Sequence, residues 1–509
     1  MQNSVVKYLK YGALVHLPDK IAVVDNEREF TFSELDDLSS RLACHIASLS
    51  KETHKPIAVF LPKTALTIVI NLAIVKSANF YTNLDEKSPT ERLKKLLNNV
   101  SPIIVFTSKA LSQRLIEAGI DEQKIVCIDE TNISSIPLDS KTLQERERLT
   151  IDTDPLCLIN TSGSTGVPKS VILNHRSTID FIDWCLSQFD FDANDSIGSL
   201  SPLYFDIYTL EIFVCLKTGA TIYLIPEQTA AFPAQLVQFL SVRKITFIFW
   251  VPTIMVNIAN LDLLKKFDLS SMRRIFFAGE VFPTKPLNFW RANLPTVQFV
   301  NLYGPIEITV DCTYFVLDRE FPDDAPIPIG TPCANSDVFI LTEDDKLAQF
   351  GQIGELCVRG SSLALGYYNN HEQTSKAFVQ NPLNIAYPEI IYRTGDLVHT
   401  NEFGEIMFDG RKDFQIKHQG YRIELSEIET AVQALPDILN ACVLYRKMNK
   451  EIVLILEAES EFTSRQIRTA LQSRLPKYML PTVIIQVDEM PRNPNGKIDR
   501  KWLNEQFAS

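Results

Sequence analysis

A short segment rich in glycine and hydroxyl residues, TSGSTGVPKS at residues 161–170, has the composition of a phosphate-binding loop. Its small residues let backbone N–H groups approach an anion closely, and Lys169 adds a positive charge. Pro168 stands where a Walker loop requires its second glycine, so the segment is not a Walker loop. Taken alone, it is either a cradle for phosphate oxygens or a plain glycine turn. The further donors would be the backbone and hydroxyl groups of Thr161, Ser162, Gly163, Ser164, Thr165 and Gly166.

Four other segments combine turn residues with side chains that could do chemistry. NLYGPIE (301–307) offers an aromatic ring, a Gly-Pro turn and the carboxylate of Glu307, and YRTGDL (392–397) places Asp396 in a glycine turn. GRKDFQIKHQGYRIE (410–424) is strongly charged, and NPNGKIDRK (493–501) places Lys497 on a turn. Each has a structural explanation in isolation: a strand end, a β-turn aspartate, a solvated charge run and an Asn-Gly hairpin.

The elements that must position these residues follow an α/β pattern. From about residue 155, short apolar segments such as TIYLI, ITFIFW, RIFFAG and VQFVNLY alternate with helix-length segments such as 175–189, 233–242 and 283–293. Strands that alternate with helices of this length predict a parallel sheet with helices on its faces. Residues 21–107 repeat the rhythm, with IAVF and IIVF as strands and 32–49 as a helix.

The pattern changes in the last third of the chain. Residues 326–409 contain DVFILT, GELCVRG and GEIMFDG between glycine and aspartate turns, which predicts antiparallel or barrel-like structure. Residues 414–509 read as two helices and two strands of a small α+β domain. The expected fold is therefore multi-domain α/β: two layered α/β subdomains and a β-barrel-like subdomain, followed by a small C-terminal α+β domain.

Composition excludes several classes of function. At 509 residues, the chain is too long for one core. A net charge of −12 argues against nucleic acid and against an anionic membrane surface as partners. The nine cysteines contain no C-x-x-C pair, the start has no signal-peptide pattern, and no apolar run reaches the roughly 20 residues of a membrane span. We therefore expect a cytoplasmic protein that is not embedded in a membrane.

Together, in this order and at these intervals, the motifs resemble the adenylate-forming superfamily. More narrowly, they are similar to the amino-acid adenylation domains of nonribosomal peptide synthetases and to D-alanine–carrier protein ligases. The resemblance covers nearly the whole chain, from FTFSEL near residue 30 to NGKIDRK near residue 500. It implies an adenylation core at residues 1–410, a hinge at 411–413 and a mobile C-terminal domain at 414–509.

The resemblance assigns a role in ATP chemistry to each motif. The loop with Lys169 would hold the ATP phosphates while a substrate carboxylate attacks the α-phosphorus, which gives an acyl-adenylate and pyrophosphate. Glu307 would help to hold Mg²⁺, a cation that prefers carboxylate and phosphate oxygens. Asp396 would accept both ribose hydroxyls and Arg411 would contact the ribose. In the NLYG segment, Tyr303 would stack on adenine, Gly304 would form the turn, and Asn301 would bond the adenine amino edge.

The C-terminal residues would serve both half-reactions. Lys497 matches the lysine that bridges the substrate carboxylate and the α-phosphate. Asp413 matches the hinge about which the C-terminal domain rotates, and Gly420 would lie beside the tunnel that admits a phosphopantetheine thiol.

The chain departs from the family pattern at a few positions that carry no catalytic charge. Ile306 replaces a usual threonine and so removes one hydroxyl near the α-phosphate. Ser170 stands where glycine is common, Asn160 where an aromatic is common, and KHQG replaces an apolar-Arg-Gly sequence. We expect activity, with the phosphate and metal contacts near Ile306 left open.

The amino-acid pocket is assigned position by position from the same resemblance. Asp206 matches the aspartate that pairs with an α-ammonium group, although its place before a helix also permits a plain N-cap. Asp311 is acidic where an uncharged residue is usual. The remaining lining residues are apolar, apart from Lys497 at the pocket's edge: Ile207, Leu210, Phe249, Phe276, Ala278, Leu302 and Val310.

Bulky residues at 249 and 302 predict a shallow cavity for a compact apolar amino acid. The combination resembles stand-alone proline-activating enzymes, so L-proline is the first choice. Alanine, valine, pipecolate and D-alanine stay open, and AGEVFP is similar to the D-alanine ligases. Neither a carrier attachment site nor a condensation motif occurs, so the acceptor should be a separate phosphopantetheinylated carrier protein. The alternatives are an acyl- or aryl-CoA ligase and a non-catalytic nucleotide-binding protein.

Overall fold

The computed structural model describes residues 2–130, 132–163, 168–492 and 498–508. The strands are β1 Ile21–Val24, β2 Glu29–Thr31, β3 Pro56–Phe60, β4 Phe80–Asn83, β5 Ile104–Thr107, β6 Ile125–Cys127, β7 Pro155–Thr161, β8 Lys169–Asn174, β9 Ser196–Ser199, β10 Thr221–Leu224, β11 Phe247–Trp250, β12 Arg274–Phe277, β13 Gln298–Tyr303, β14 Thr313–Val316, β15 Thr331–Pro332, β16 Ser336–Leu341, β17 Gly354–Gly360, β18 Phe378–Gln380, β19 Ile390–Thr400, β20 Ile406–Arg411, β21 Gln415–His418, β22 Tyr421–Glu424, β23 Ile438–Arg446, β24 Glu451–Ala458 and β25 Val483–Val487.

The α-helices lie between these strands, as the alternating pattern predicts. They are α1 Leu14–His16, α2 Phe32–Leu49, α3 Ala65–Lys76, α4 Thr90–Val100, α5 Lys109–Glu117, α6 Ser140–Leu149, α7 His175–Gln188, α8 Ile207–Thr218, α9 Glu227–Ala230, α10 Pro233–Val242, α11 Pro252–Asn260, α12 Thr284–Asn293, α13 His371–Ala377, α14 Leu425–Gln433, α15 Ser464–Gln472 and α16 Arg500–Phe507.

Two largely parallel sheets form the main body. A six-stranded sheet has the order β6-β5-β3-β4-β7-β8, in which only β8 is antiparallel to its neighbour. A nine-stranded sheet has the order β15-β14-β13-β12-β11-β9-β10-β1-β2, and its strands run parallel from β13 to β1. The α/β rhythm of residues 21–107 runs without a break in the sequence, but β1 pairs with β10 of the second sheet and carries β2 with it at the sheet edge.

A layer of helices joins the two sheets through one buried cluster. Helices α3 and α8 are apolar on nearly all sides and almost wholly buried, as expected for helices enclosed on every face. The cluster also contains residues of α2 and α7 and of strands from both sheets. A capping box at Thr31 and Glu34 fixes the start of α2.

The rest of the chain forms smaller units. Strands β16–β20 make the predicted antiparallel sheet. After it come the hairpin β21–β22 and the three-stranded sheet β23-β24-β25. Alternate residues of β23 point to opposite faces of that sheet: Ala441 and Val443 pack in a core with α14 and α15, and Cys442 and Leu444 pack in a core with α16. Over the described ranges, no helix is long and apolar enough to cross a membrane.

Candidate functional site

The carboxyl ends of the parallel strands β11, β12 and β13 carry several of the predicted pocket residues. Phe249 and Phe276 lie on β11 and β12, Ala278 directly follows β12, and Leu302 lies on β13. Strands β11 and β12 pair in register, with Phe249 opposite Phe276. A crevice at the carboxyl ends of such strands is the usual ligand site of an open α/β sheet.

The glycine-rich segment connects the antiparallel pair β7 and β8 of the other sheet. Thr161 ends β7 and Lys169 begins β8, so the loop is anchored by a two-stranded hairpin. The Ser162 hydroxyl donates to the carbonyl of Arg422 (2.7 Å) and accepts from the N–H of Glu424 (3.1 Å). Ser164, Thr165 and Gly166 lie outside the described residues.

Two further loop groups also face the C-terminal residues. The Gly163 N–H donates to Glu427 Oε2 at 3.2 Å. The Lys169 ammonium lies 3.8 Å from Glu424 Oε1 and 5.6 Å from the centre of the Tyr367 ring. Of the described loop residues, Ser162 thus bonds the backbone of β22, Gly163 bonds the Glu427 carboxylate, and Lys169 lies near Glu424.

Two family departures near the loop compensate for one another. Asn160 Oδ1 accepts the Ser170 hydroxyl at 2.7 Å, and the Asn160 amide donates to Thr82 Oγ1 at 2.9 Å. Asn99 adds a third polar contact to Ser170 at 3.2 Å. The third departure, Ile306, packs against the main apolar cluster.

Glu307 is fully buried in a short turn that follows β13. Its Oε1 accepts the Tyr367 hydroxyl (2.7 Å), and its Oε2 pairs with the Arg422 guanidinium (2.7 Å). Burial alone would raise the pKa of Glu307, but Arg422 and Tyr367 outweigh it and hold the pKa below its ordinary value. Glu307 is thus an ionised carboxylate with both oxygens engaged.

Glu307 fits the role of a Mg²⁺ ligand only when Arg422 has withdrawn. Among the described residues, no group of three or more metal-binding side chains is arranged around a common point. Mg²⁺ needs no such cluster, because it is commonly bound by one or two carboxylates together with substrate phosphates and water.

The residues assigned to adenine and ribose converge on Asp396. The Tyr303 hydroxyl donates to Asp396 Oδ2, and Arg411 Nη1 donates to Asp396 Oδ1 at 2.6 Å. Arg411 also makes a bidentate pair with Asp413 at 2.6 and 2.8 Å. Asn301 donates its amide to the carbonyl of Pro328 (2.7 Å), which leaves Oδ1 as the atom able to accept from an adenine amino group.

Position 304 has no room for a side chain, so only glycine fits there. A Cβ at this position would lie 2.4 Å from the Cα of Asp311 and 2.6 Å from the carbonyl oxygen of Val310. The turn after β13 therefore packs directly against the loop that carries Val310 and Asp311, just before β14.

The apolar pocket residues form one compact wall. Phe276 packs against Phe189, Phe247 and Phe249, with ring centres 4.7, 4.9 and 6.1 Å apart. Such an aromatic cluster cannot move aside without losing several ring contacts. All the apolar lining residues are buried in the same cluster: Ile207, Leu210, Phe249, Phe276, Ala278, Leu302 and Val310.

Asp206 stands at the N-cap position of α8, yet within the described chain its side chain caps no N–H of that helix. The structure therefore gives no support to a plain N-cap, and the carboxylate lies near Lys417, Glu307 and Asp311. Burial raises the pKa of Asp206 to about 6, against the opposing effects of backbone N–H groups and Lys417.

Asp311 is a second carboxyl group at this pocket and is 2% exposed. Its Oδ2 has no hydrogen-bond partner among the described residues. Burial and the nearby Asp206 raise its pKa well above the ordinary value. The two residues before it, Thr309 and Val310, have φ values of 57° and 66°, which is unusual for β-branched side chains.

Gly420 lies in the turn between β21 and β22, against the main body. Its φ is 82°, its N–H donates to Glu280 Oε1 at 2.9 Å, and a Cβ there would lie 3.0 Å from Val251 Cγ1. Lys497 lies outside the described residues. The flanking Arg492 and Ile498 form a β-bridge, and Ile498 packs on the α16 face of the three-stranded sheet.

Sequence reasoning missed several residues that contact the site. It quoted the YRIE sequence but gave Arg422 no role, and it did not single out Arg92, Tyr367, Glu280 or Glu427. Glu427, on the first turn of α14, pairs with Arg92 of α4, and both side chains are nearly fully buried. The only sequence signal was the charge of 410–424, which does not reveal which charges become buried.

Comparisons with known proteins find relatives along nearly the whole chain. The family model for AMP-binding enzymes matches residues 13–368, and the model for the AMP-binding enzyme C-terminal domain matches residues 427–497. Tyrocidine synthase 1 of Brevibacillus parabrevis is 31% identical over 516 residues, which cover 99% of this chain and 46% of that protein. An L-proline–[L-prolyl-carrier protein] ligase of Pseudomonas fluorescens is 30% identical over 505 residues, 97% of each chain.

The chain spans less than half of the length of several relatives, from 46% of tyrocidine synthase 1 to 11% of gramicidin S synthase 2 of Brevibacillus brevis. Among solved structures, the adenylation domain AlmE of Vibrio cholerae in complex with glycyl-adenosine-5′-phosphate has a TM-score of 0.84 at 22% identity. The match covers 100% of this chain and 98% of AlmE, so the two proteins share one fold along their whole length.

Proposed function

The chain belongs to the AMP-binding enzyme family, and from that premise we propose that it activates an amino acid as its adenylate. ATP and the amino acid would give aminoacyl-AMP and pyrophosphate, and the aminoacyl group would then pass to a carrier-protein thiol. The observation that carries the proposal is the position of Asp206, a carboxylate near Glu307 that makes no side-chain cap to α8 and whose pKa is raised by burial.

In the first half-reaction, a carboxylate oxygen of the amino acid attacks the α-phosphorus of ATP. The new O–P bond forms as the bond to the bridging oxygen breaks, and that electron pair leaves with pyrophosphate. The work of the protein is to align these groups and to neutralise the charge on the phosphate oxygens. Lys169, the loop N–H groups and, as the resemblance implies, Lys497 supply positive charge.

Glu307 is the residue that would hold Mg²⁺ against the ATP phosphates after Arg422 has withdrawn. The metal ion, when bound, supplies positive charge to the phosphate oxygens. Asp396 and Arg411 would bind the ribose, Tyr303 would contact the adenine ring, and Asn301 would accept from the adenine amino group.

Asp206 favours an amino acid over a simple carboxylic acid. A buried carboxylate is unfavourable without a cationic partner, and an α-ammonium group would supply that partner. A fatty or aryl acid would leave the carboxylate uncompensated. The geometry therefore supports the amino-acid ligase over the acyl- or aryl-CoA ligase.

The pocket favours a compact substrate, and we propose L-proline. Phe276 packs against Phe189 and Phe247, and Leu302 is 2% exposed, so the bulky residues assigned to the pocket are held in place by their neighbours. The proline–carrier protein ligase relative supports the choice. D-Alanine is the alternative, because apolar pockets separate compact neighbours by only about 1–3 kcal/mol per methylene.

In the second half-reaction, a phosphopantetheine thiol of a separate carrier protein would attack the carbonyl carbon of the adenylate. The C–S bond forms, the C–O bond to AMP breaks, and the thiol proton passes to water. Gly420 packs closely against Val251, where a larger residue would not fit, and the resemblance implies that the arm would enter beside it.

The choice of thiol acceptor can be tested directly. Purified protein, ATP, Mg²⁺ and radiolabelled amino acid are incubated with either a phosphopantetheinylated carrier protein or coenzyme A. We expect label on carrier proteins from proline-accepting systems and little acyl-CoA. Efficient acyl-CoA formation without any carrier loading would contradict the proposed acceptor.

A further inference from the structure

Several of the described groups assigned to the nucleotide are engaged by one stretch of the chain, residues 411–427. Asp396 pairs with Arg411, Glu307 with Arg422, and Lys169 lies near Glu424. The Ser162 hydroxyl bonds to two backbone groups of β22, the carbonyl of Arg422 and the N–H of Glu424. The Gly163 N–H bonds to Glu427. Some of these partners carry the charge or dipole that a nucleotide or its metal ion would present at the same place. The others compete with the nucleotide for the same protein atom.

Glu427 is the most informative of these partners. Its Oε2 accepts the Gly163 N–H at 3.2 Å, and its Oε1 pairs with Arg92. An anionic oxygen at a loop N–H is the contact that such a loop offers to phosphate. The carboxylate of Glu427 therefore takes a donor that the ATP phosphates require.

The Arg92–Glu427 pair is buried and links two domains. The side chains are 8% and 4% exposed, respectively, and the residues are separated by more than 300 positions in the chain. Removing one partner of such a pair leaves an uncompensated buried charge, which is strongly unfavourable. The pair thus holds α14 of the C-terminal domain against α4 only while both charges are present.

The same placement sets the hairpin β21–β22 against the main body. The Gly420 N–H reaches Glu280 at 2.9 Å, and the Lys450 ammonium donates to Thr253 Oγ1 at 2.9 Å. If the proposed function is correct, Gly420 lies where the carrier thiol would enter. The domain placement that brings Glu427 to the Gly163 N–H is therefore the same placement that puts Gly420 of the hairpin against the main body.

We propose, resting on the proposed function, that Glu427 and Arg92 are positioning residues for the transfer half-reaction. The Glu427 carboxylate replaces a phosphate oxygen at the Gly163 N–H, so pyrophosphate and the docked hairpin exclude one another. Pyrophosphate must leave the loop before Glu427 can bind it, and this orders transfer after its release.

The first test measures docking without any turnover. Hydrogen exchange of residues 415–424 is followed in wild-type protein with and without inorganic pyrophosphate and Mg²⁺. We expect pyrophosphate to accelerate exchange of the hairpin amides at least about tenfold, because it displaces Glu427. Unchanged hairpin exchange at saturating pyrophosphate would overturn the proposal, whatever the substrate of the enzyme is.

The second test separates the half-reactions with Glu427→Gln. Adenylate formation is measured by ATP–pyrophosphate exchange, and transfer is measured in a single turnover from preformed adenylate to pantetheine after pyrophosphatase treatment. The variant should lose at least about tenfold more in transfer than in adenylate formation, and should bind inorganic pyrophosphate more tightly. Arg92→Gln, in the other domain, should reproduce this split.

Glu429→Gln is the matched control, because Glu429 lies on the same helix and pairs with Arg500 inside the C-terminal domain. It should leave the ratio of the two half-reactions at its wild-type value. Equal losses in both half-reactions for Glu427→Gln, or the same split in Glu429→Gln, would assign Glu427 a merely structural role. A wild-type protein that forms no adenylate would contradict the proposed function instead, and the hydrogen-exchange test would still decide the inference.

Discussion

Individual carboxylates carry most of the chemistry, and Asp206 is the residue whose environment has the clearest consequence. It lies at the N-cap position of α8 without a side-chain cap to the helix, near Asp311 and the apolar residues assigned to the pocket. Burial raises its pKa to about 6, so the group ionises within the range in which activity can be measured. Its charge state should therefore control recognition of an α-ammonium group.

We predict that kcat/KM for the amino acid falls as pH drops through about 6. Asp206 is ionised above that pH and protonated below it, and only the ionised form attracts the substrate ammonium. Asp206→Asn should raise KM at least about 30-fold at neutral pH and abolish this step in the pH profile. Steady-state kinetics between about pH 5 and about pH 8 check both effects.

The control for this prediction is Asp268→Asn, which changes an exposed aspartate that pairs with Lys244. It should retain the wild-type KM and the wild-type pH profile. A normal KM in Asp206→Asn would show that the carboxylate does not face the substrate.

At the scale of elements, the hairpin β21–β22 depends on a glycine at its turn. Gly420 combines a left-handed φ of 82° with a Cβ position 3.0 Å from Val251. Gly420→Leu should therefore prevent close docking and slow transfer at least about tenfold more than it slows adenylate formation. Rapid-quench measurement of the two half-reactions checks this split.

Gly404→Leu provides a matched control. Gly404 has a similar φ of 78°, but no atom lies within 4 Å of the position of an added Cβ. This variant should lose stability to the same left-handed backbone strain. It should leave the ratio of the transfer rate to the adenylation rate at its wild-type value. A comparable loss of transfer in both variants would show that strain, and not obstruction, is responsible.

Element positions could be predicted from the sequence, because they depend on local pattern. The segment 233–242 and the glycine-rich loop between two strands match α10 and the β7–β8 hairpin. Sheet membership could not, because β1 pairs with β10 across nearly 200 residues, and no local signal encodes that choice. The site shows the same limit. The motif residues could be identified from the sequence, whereas the contact between Arg92 and Glu427 could not, because it forms only when two domains pack together.

At the scale of the whole molecule, the N-terminal segment is tied to the core through His175. The imidazole is 2% exposed, and its Nδ1 accepts the N–H of Val5 at 3.3 Å. Burial lowers the pKa of His175 to about 4, so the folded protein keeps the ring neutral. The unfolded chain, with an ordinary pKa of about 6.5, binds the proton more readily.

Stability should therefore decline as pH falls from about 6.5 towards about 4, because the unfolded state binds more protons in that range. From about pH 7.5 to about pH 5, His175 should account for about 2 kcal/mol of the free energy of unfolding. His175→Asn keeps an acceptor for Val5 and should remove this part of the pH dependence. Denaturant unfolding at the two pH values checks it.

The exposed His371 supplies the comparison. His371→Asn should leave the wild-type pH dependence of unfolding in place, since the side chain stands at the exposed start of α13. An identical pH dependence in His175→Asn and wild-type protein would contradict the assigned role of the buried imidazole.

The central claim is that the chain forms an adenylate from an amino acid, and ATP–pyrophosphate exchange tests it most directly. Purified protein is assayed against a panel that includes both enantiomers of proline and alanine, valine, pipecolate, and fatty and aryl acids without an amine. The account predicts exchange with a compact amino acid, strongest with L-proline, and none with acids that lack the amine. Exchange with a fatty or aryl acid, and silence for every amino acid, would contradict it.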